Sequence, residues 1–232
     1  MTGRREPESP RLSIVVPVLN EAPLLPALAR HLAAVAPRAE RWLVDGGSTD
    51  GSAEVAERAG FSVIRAERGR WRQMNAGAEA SRGDVLLFLH ADTRLPVGAS
   101  AAVERCLGSG AAVGAFRLRL DDRRPSLRLM ELGAGLRSRW MGLPLGDQAL
   151  FCRRETFEAL GGFADLPFLE DLDFVSRAAR LGPVVTLPDP IVTSARVWAQ
   201  RGVWRTMAWN GWVTARYLRG WRPREDRRGL VR

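Results

Sequence analysis

Four clusters of acidic and amide side chains stand at points where an apolar run of this sequence ends. In chain order they are Asn20-Glu21, Asp45-Gly46-Gly47-Ser48, His90-Ala91-Asp92 and Glu170-Asp171. Carboxylates in such places can hold a divalent cation or take up a proton as a general base. A doubly wound α/β sheet gathers the ends of its strands at one edge and binds ligands there. Clusters that lie far apart in the chain can therefore share one site.

The elements that must position these clusters follow from the apolar pattern. Near-continuous apolar runs, typical of a sheet covered by helices on both faces, predict buried parallel strands at 12–19, 42–44 and 85–89. Helical patterns separate these runs, at 24–35, 52–59 and 71–80. The alternation predicts an α/β fold with a mostly parallel, Rossmann-like central sheet flanked by helices.

The composition indicates a single folded domain. Of the 232 residues 46% are hydrophobic, which is enough for a core, and no Ser/Gly-rich or Pro-rich linker divides them. The charged first residues lack an apolar h-region, and no run approaches the roughly 20 apolar residues of a membrane span. Cys106 and Cys152 fit no metal or redox spacing, so we expect buried thiols. A cytoplasmic location is the resulting expectation.

The basic charge is concentrated in the last part of the chain. All 35 basic residues are arginines, the net charge is +9, and residues 196–232 hold ten arginines and five tryptophans against two acids. On a helix-compatible stretch this mixture suits the surface of an anionic membrane, which would make the protein peripheral at the inner face. Core packing of the tryptophans is the alternative. Nucleic acid is the less favoured partner.

The loop from Asp45 to Gly51 has the composition of a ligand-binding turn. Its glycines let the backbone approach a ligand, and Asp45 can accept a hydrogen bond from a base or ribose edge. The loop lacks the Gly-Lys-Ser/Thr ending of a P-loop and the glycine spacing of a dinucleotide site. Structural roles compete with ligand binding, because Asp50 and Asn20 could each cap a helix that follows.

Together, these clusters resemble the family 2 glycosyltransferases, which have the GT-A fold. The resemblance is carried by the segments 13–21, 43–52 and 83–92 and by the Glu170-Asp171 pair. It divides the chain into a nucleotide-binding half at 11–110 and an acceptor half at 111–195. Residues 196–232 remain as a helical extension rich in arginine and tryptophan.

The resemblance implies a nucleotide-sugar donor, a UDP- or GDP-sugar, in the first half of the chain. By the family pattern, Pro17, Asn20 and Glu21 line the base and ribose pocket, and Asp45 contacts the base. The other donor contacts that we expect in these motifs and in the third helix are Gly47, Ser48, Asn75 and Ala91.

His90-Ala91-Asp92 stands where the family has its Asp-x-Asp motif. The resemblance makes Asp92 the residue that holds Mn²⁺ or Mg²⁺ on the donor diphosphate. His90 replaces the first aspartate, and an imidazole at the metal favours Mn²⁺ or another transition ion over Mg²⁺. The alternative for His90 is a buried histidine that backbone groups satisfy at the strand end.

Glu170, Asp171 and Asp173 crowd the first turn of a predicted helix. Repulsion among them raises a pKa and can tune one carboxylate as a general base. In the family, the aspartate of the Glu-Asp pair is the base of an inverting transfer. The resemblance therefore assigns that role to Asp171, with Glu170 supporting the acceptor or the helix.

Gly146-Asp147-Gln148 resembles a feature of a small subfamily of these transferases, associated with radical-enzyme or selenium-related gene neighbourhoods. Asp147 and Gln148 could orient the acceptor or the donor sugar. Equally, Gly146-Asp147 could be only a turn.

Two other classes of protein compete with a glycosyltransferase. A nucleotidyltransferase also uses acidic metal ligands on a parallel sheet, but the chain lacks an early Gly-Arg-Lys phosphate loop. A non-catalytic module that binds membranes through the C-terminal extension would leave the ordered acids unexplained. The acceptor is unknown from the sequence, and a lipid-linked acceptor is a hypothesis based on that extension.

Overall fold

A computed structural model describes residues 11–196, 198, 202–221 and 223. The remaining residues lie outside this description, and with them most of the predicted C-terminal extension beyond 221.

The described residues form one sheet with helices on both faces. Its strands are β1 (Leu12–Val18), β2 (Glu40–Asp45), β3 (Ser62–Arg65), β4 (Val85–Phe88), β5 (Thr93–Arg94), β6 (Val113–Leu120), β7 (Phe151–Arg153) and β8 (Val184–Thr193). The α-helices are α1 (Leu25–Val35), α2 (Ser52–Arg58), α3 (Arg70–Ala80), α4 (Ala99–Gly108), α5 (Pro125–Trp140), α6 (Arg154–Ala159), α7 (Glu170–Ala178) and α8 (Val203–Leu218). Among these described helices, none has the length and apolar character that crossing a membrane requires.

The sheet is parallel in its first half and mixed in its second. The strand order is β3-β2-β1-β4-β7-β6-β8-β5. β1 to β4 pair in parallel, as the buried apolar runs predict. β7 is antiparallel to both of its neighbours, β4 and β6. The predicted α/β sheet is confirmed, with an antiparallel strand joining its two halves.

Strand β8 does not follow from the apolar pattern because Pro188 and Pro190 interrupt it. These prolines lie where the register between β6 and β8 shifts, from Phe116 opposite Leu187 to Arg117 opposite Pro190. A bulge accommodates proline, since the residues inside it donate no regular ladder hydrogen bond. The neighbouring β5 has two residues, too few for any periodic signal.

The core occupies both faces of the sheet. Ile14 belongs to the cluster under α1 and α4, whereas Val15 and Phe88 belong to the cluster under α3, α6 and α7. Alternation along β1 thus fills both layers. Cys106 and Cys152 are buried free thiols, as predicted, and burial raises the pKa of Cys152 to about 12.

Arg154, the first residue of α6, fastens the second half of the sheet to the first. Its guanidinium donates to the carbonyl oxygens of Ala78, Ser81 and Gly83 at 2.8, 3.0 and 2.8 Å, and to the Ser81 hydroxyl at 2.9 Å. These acceptors lie in the turn between α3 and β4. A cation with several donors can satisfy a whole turn of backbone carbonyls in this way.

Gly77 brings α3 close to the sheet, and alanine at this position tests the contact. A Cβ there would collide with Val15 and lie 2.9 Å from Val44 Cγ2. We expect Gly77→Ala to lower the free energy of unfolding by about 1–3 kcal/mol, because overpacking outweighs the gain in helix propensity. Urea denaturation measures the change.

The matched control is Gly133→Ala in α5, where no atom lies within 4 Å of the added Cβ. This substitution should leave stability unchanged or raise it by up to about 1 kcal/mol. Equal losses at the two positions would contradict the close approach of α3 to the sheet.

Candidate active site

The predicted clusters meet at the carboxyl edge of the parallel strands. Asn20-Glu21 follow the end of β1, Asp45 is the last residue of β2, and His90 follows β4. The half-buried Pro17 lies near the end of β1, at the same edge. Ligand sites of open α/β sheets form outside such strand ends.

The side chain of Gln73 fixes this edge from below. It lies in α3, is buried, and donates to the carbonyl oxygens of Val18 and Val44 at 2.8 Å each. A Cβ on Gly46 would lie 2.9 Å from the Gln73 side-chain carbon, so the close approach requires glycine. The ends of β1 and β2 are therefore tied to one amide group.

The loop after β2 is shaped by the carboxylate of Asp45. The side chain is buried, and its Oδ1 accepts the Ser48 N–H at 3.0 Å. Gly47 has a φ of 91°, which lets the chain turn back over the carboxylate. The loop is thus formed without a ligand, and contact between Asp45 and a base stays a prediction.

Asn20 and Asp50 stabilise the same loop from two sides. The Asn20 N–H donates to Ser48 Oγ at 2.9 Å, and Asn20 Oδ1 accepts the Thr49 N–H at 2.8 Å. Asn20 does not cap the 3₁₀ turn that follows. Asp50 does support the start of α2, because its Oδ1 accepts the Ser52 N–H and hydroxyl.

Arg196 reaches this edge although the sequence grouped it with the C-terminal extension. Its guanidinium donates to both carboxylate oxygens of Glu21, at 2.8 and 3.0 Å. That hydrogen bonding, the charge of Glu21 and the charge of Asp92 raise the pKa of Arg196. Arg196 lies at the site because it follows β8, which pairs with β5. No sequence signal distinguishes Arg196 from the other arginines.

Asp92 keeps one carboxylate oxygen for a ligand. Its Oδ1 accepts the hydroxyls of Thr93 and Thr193 at 3.4 and 3.3 Å, while Oδ2 has no hydrogen bond with a described residue. Across the part of the chain that the structure describes, no three His, Cys, Asp or Glu side chains are grouped to hold a metal ion. Asp92 therefore fits a hard cation that takes its other ligands from phosphate oxygens and water.

The backbone of Gly146 joins the end of β4 to the start of α7. Its N–H donates to Asp171 Oδ2 at 2.6 Å. A Cβ on Gly146 would lie 3.2 Å from that oxygen and 3.7 Å from His90 Nε2, so His90 and Asp171 border one narrow space. The Leu172 N–H donates to the other Asp171 oxygen at 2.7 Å. Two backbone donors thus orient the Asp171 carboxylate.

His90 is neutral in this setting. Burial, and then the charge of Arg70, lower its pKa to about 3. Its ring makes no hydrogen bond with a described residue, and the choice between a metal ligand and a histidine satisfied by backbone groups stays a prediction. A neutral ring nitrogen can bind a metal ion or accept a hydrogen bond.

The acids around Asp171 are buried with little compensating charge. Burial and the charge of Asp171 raise the pKa of Glu170 to about 7, although Arg70 lies 3.8 Å away. Burial raises the pKa of Asp147 as well, against the opposing charge of Arg137. Asp147 Oδ1 is buried without a hydrogen-bond partner among the described residues. Such perturbed acids in one place are typical of functional sites.

Two of the predicted ligand contacts make hydrogen bonds with backbone groups. The buried Gln148 amide donates to the Phe116 carbonyl at 2.9 Å. The Asn75 amide donates to the Phe163 carbonyl and accepts the Phe163 N–H, both at 2.9 Å. These contacts give both side chains a structural role, and contact of Asn75 with the donor and of Gln148 with the acceptor or the donor sugar stays a prediction.

Asp173 does not share the environment of Glu170 and Asp171. One of its oxygens pairs with Arg177 at 2.6 Å, and the other accepts the Tyr217 hydroxyl at 2.6 Å. The crowding predicted for three acids is thus limited to two acids of this helix, with Asp147 from the preceding turn.

The fold is that of an α/β protein of the GT-A type, with the Asp45 turn in its first half and a group of buried acids in its second half. The model of the family "Glycosyl transferase family 2" matches residues 13–141, which is more than half of the chain. The chain belongs to this family. Membership favours glycosyl transfer over the nucleotidyltransferase and the non-catalytic module.

Curated relatives match part of the chain. An undecaprenyl-phosphate 4-deoxy-4-formamido-L-arabinose transferase of Pseudomonas paraeruginosa is 38% identical over 50% of this chain and 37% of its own length. The same enzyme of Pseudomonas aeruginosa is 34% identical over 61% of this chain and 46% of its own length. The chain thus spans less than half the length of these relatives.

Solved structures share the fold at low identity. A mannosyltransferase of Pyrobaculum calidifontis, in complex with GDP-Man and Mn²⁺, superposes with a TM-score of 0.65 at 22% identity, over 79% of this chain and 56% of the other. TarS of S. aureus, in complex with UDP-GlcNAc, gives 0.62 at 17% identity, over 79% and 58%.

The raised pKa of Glu170 predicts a pH-dependent effect of Glu170→Gln on stability. As pH rises from about 4.5 to about 7, ionisation of the buried Glu170 lowers the free energy of unfolding of wild type. The variant has no acid at this position and does not lose this stability. Between pH 5 and 8, the variant should gain on the order of 2 kcal/mol relative to wild type. Urea denaturation of both proteins at these pH values measures the difference, and a pH-independent difference would contradict a raised pKa of Glu170.

Proposed function

We propose that this protein is an inverting, metal-dependent glycosyltransferase that moves a sugar from a nucleotide-diphosphate sugar to an acceptor hydroxyl. The supporting observation is that His90 and Asp171 both approach Gly146, within 3.7 Å of the position that a Cβ on this residue would take. His90 comes from the strand that leads to Asp92, and Asp171 comes from the other half of the chain. Donor and acceptor groups can react only where such halves share one cleft.

The donor half supplies the nucleotide contacts in this proposal. Asp45, Gly47 and Ser48 form a rigid turn that a base and ribose can contact, with Asn20 beside it. Glu21 and Arg196 face each other at the same edge. The Arg196 guanidinium has a donor fork that suits a diphosphate, and the donor can recruit it from Glu21.

Asp92 and His90 would hold a divalent cation in this site. Asp92 offers Oδ2, which accepts no hydrogen bond from a described residue, and His90 offers a neutral ring nitrogen, which suits Mn²⁺ more than Mg²⁺. When bound, the cation stabilises the charge that develops on the leaving diphosphate. The Mn²⁺ complex of the structurally similar mannosyltransferase supports this assignment.

Asp171 acts as the general base. Its carboxylate is oriented by the Gly146 and Leu172 N–H groups, and it takes the proton from the acceptor hydroxyl. The hydroxyl oxygen attacks the anomeric carbon on the face opposite the diphosphate, so the configuration inverts. Glu170 and Asp147 border the same cleft and support the acceptor or the sugar.

The acceptor is proposed to be lipid-linked. The curated relatives are named as undecaprenyl-phosphate transferases, and the C-terminal segment of this chain combines arginine with tryptophan. Such a segment favours peripheral contact with a membrane surface, where a lipid-linked acceptor resides.

Donor binding tests the metal assignment. We expect wild type to bind one of UDP-glucose, UDP-GlcNAc or GDP-mannose in the presence of Mn²⁺, and Asp92→Ala to weaken that binding at least about tenfold, since the cation bridges protein and diphosphate. Isothermal titration calorimetry with and without EDTA measures both effects. Glu57→Ala is the control, because Glu57 is an exposed acid near the end of α2. Full metal-dependent affinity in Asp92→Ala would remove Asp92 from the metal site.

Transfer to water tests the base. For the donor that binds, Asp171→Asn should reduce the release of nucleoside diphosphate by about 10²–10⁴-fold, since an amide cannot accept the proton. Donor affinity should stay unchanged. Asp173→Asn is the matched control in the same helix; it should lower stability through Arg177 and Tyr217 but keep the rate of the folded enzyme. Equal rates in wild type and Asp171→Asn would exclude Asp171 as the base.

A further inference from the structure

Helix α5 carries apolar side chains on two opposite faces. Leu127, Met130 and Ala134 are buried against the end of β6. On the reverse face, a stripe with helical spacing points outward, formed by the exposed side chains of Leu129, Leu132, Leu136 and Trp140. The exposed fraction of Leu132 is 59% and that of Trp140 is 84%. The face of a helix that meets solvent normally has polar residues, so this apolar stripe indicates that a partner covers it.

Helix α8 extends the same apolar surface. It packs beside α5, and Val203 and Met207 at its start join the α5 cluster. Its outward tryptophans, Trp204, Trp209 and Trp212, are exposed. We call the stripe of α5 and these tryptophans the α5/α8 surface. An isolated exposed apolar residue is ordinary, whereas seven exposed leucine and tryptophan side chains on two neighbouring helices indicate an interaction site.

The charge around the α5/α8 surface is almost entirely positive. α8 has no acidic residue, and its Arg205 and Arg216 are exposed. Arg216 stacks against Trp212 at 4.9 Å. In α5, Glu131 is the only acid, and its carboxylate is taken by Arg128 and the Leu120 N–H. A partner for this surface must therefore combine an apolar interior with negative charge at its boundary.

We propose that the α5/α8 surface docks on a lipid bilayer that contains anionic headgroups. Leucine and tryptophan side chains enter the boundary of the acyl chains, and the arginines beside them pair with the lipid phosphates. Tryptophan is suited to this depth because its ring is apolar and its N–H remains at the headgroups. Both helices lie flat on the bilayer, and neither spans it.

The position of α5 relative to the site gives this docking a consequence. After Trp140 the chain runs through Leu143, whose carbonyl accepts from Arg137 at 3.0 Å, directly to Gly146 at Asp171. The apolar stripe therefore ends beside the acid-rich half of the cleft. This consequence rests on the proposed function. A lipid-linked acceptor reaches Asp171 while its lipid remains in the bilayer.

Vesicle flotation of the full chain tests the docking. The vesicles contain equal parts of phosphatidylcholine and phosphatidylglycerol, or phosphatidylcholine alone. We expect wild type to float with the anionic vesicles and only weakly with the neutral ones. The double variant Leu132→Ser/Leu136→Ser should lose at least about tenfold in partition, since both side chains face outward and leave the membrane boundary. Val97→Ser/Leu181→Ser, at exposed apolar residues elsewhere, is the matched control and should float like wild type.

Several outcomes would overturn the proposal. The proposal fails if wild type remains unbound with anionic vesicles, or if the stripe variant floats as well as wild type. Light scattering after gel filtration could show that wild type is a dimer and the stripe variant a monomer, in which case a second copy covers the surface. Donor binding by calorimetry is measured on the same variants, so loss of docking and failure of the glycosyltransferase proposal are distinguished.

Discussion

The site depends on two strands ending at the same level, and one amide group fixes that level. Gln73 donates to the carbonyl oxygens of Val18, the last residue of β1, and Val44, the residue before the end of β2. Gly46 has to be glycine to admit this side chain. The Asp45 turn, the Asn20 contacts and the start of α2 are all built on this joint. A buried bond of this kind both closes the sheet edge and shapes the surface that faces a ligand.

In the second half of the site, acidic side chains lie close together although their charges repel one another. Asp147, Glu170 and Asp171 lie close together, and Arg70 and Arg137 compensate them only in part. Burial of acids with incomplete pairing costs stability, and a fold keeps such an arrangement only when strong contacts elsewhere offset it. Asp173 with Arg177 and Tyr217 is one such contact, one turn along the same helix.

In the first half, β1, β2 and β4 were predictable because each is an apolar run with a cluster at its end, as with Asp45 at the end of β2. In the second half, β8 was not predictable, since it contains two prolines in a bulge. Asn75 and Gln148 have amide groups that suit ligand binding and lie near the motifs of the site. In the structure these amides make hydrogen bonds with backbone groups that are distant in sequence. Arg196 is the converse case, because its neighbours in sequence are tail residues and its neighbours in space are Glu21 and Asp92.

Arg154 bears on how the enzyme can move. In many proteins a cleft between two halves closes by a hinge motion. Here the short strand β7, which joins the two halves of the sheet, would be the hinge. Rotation there would pull the Arg154 guanidinium from four acceptors at once. The two halves of the sheet are therefore expected to keep a fixed orientation. The distance between Asp92 and Asp171 is then set when the chain folds. Gating would then fall to side chains at the rim, such as that of Arg196, and turnover would not wait on a domain motion.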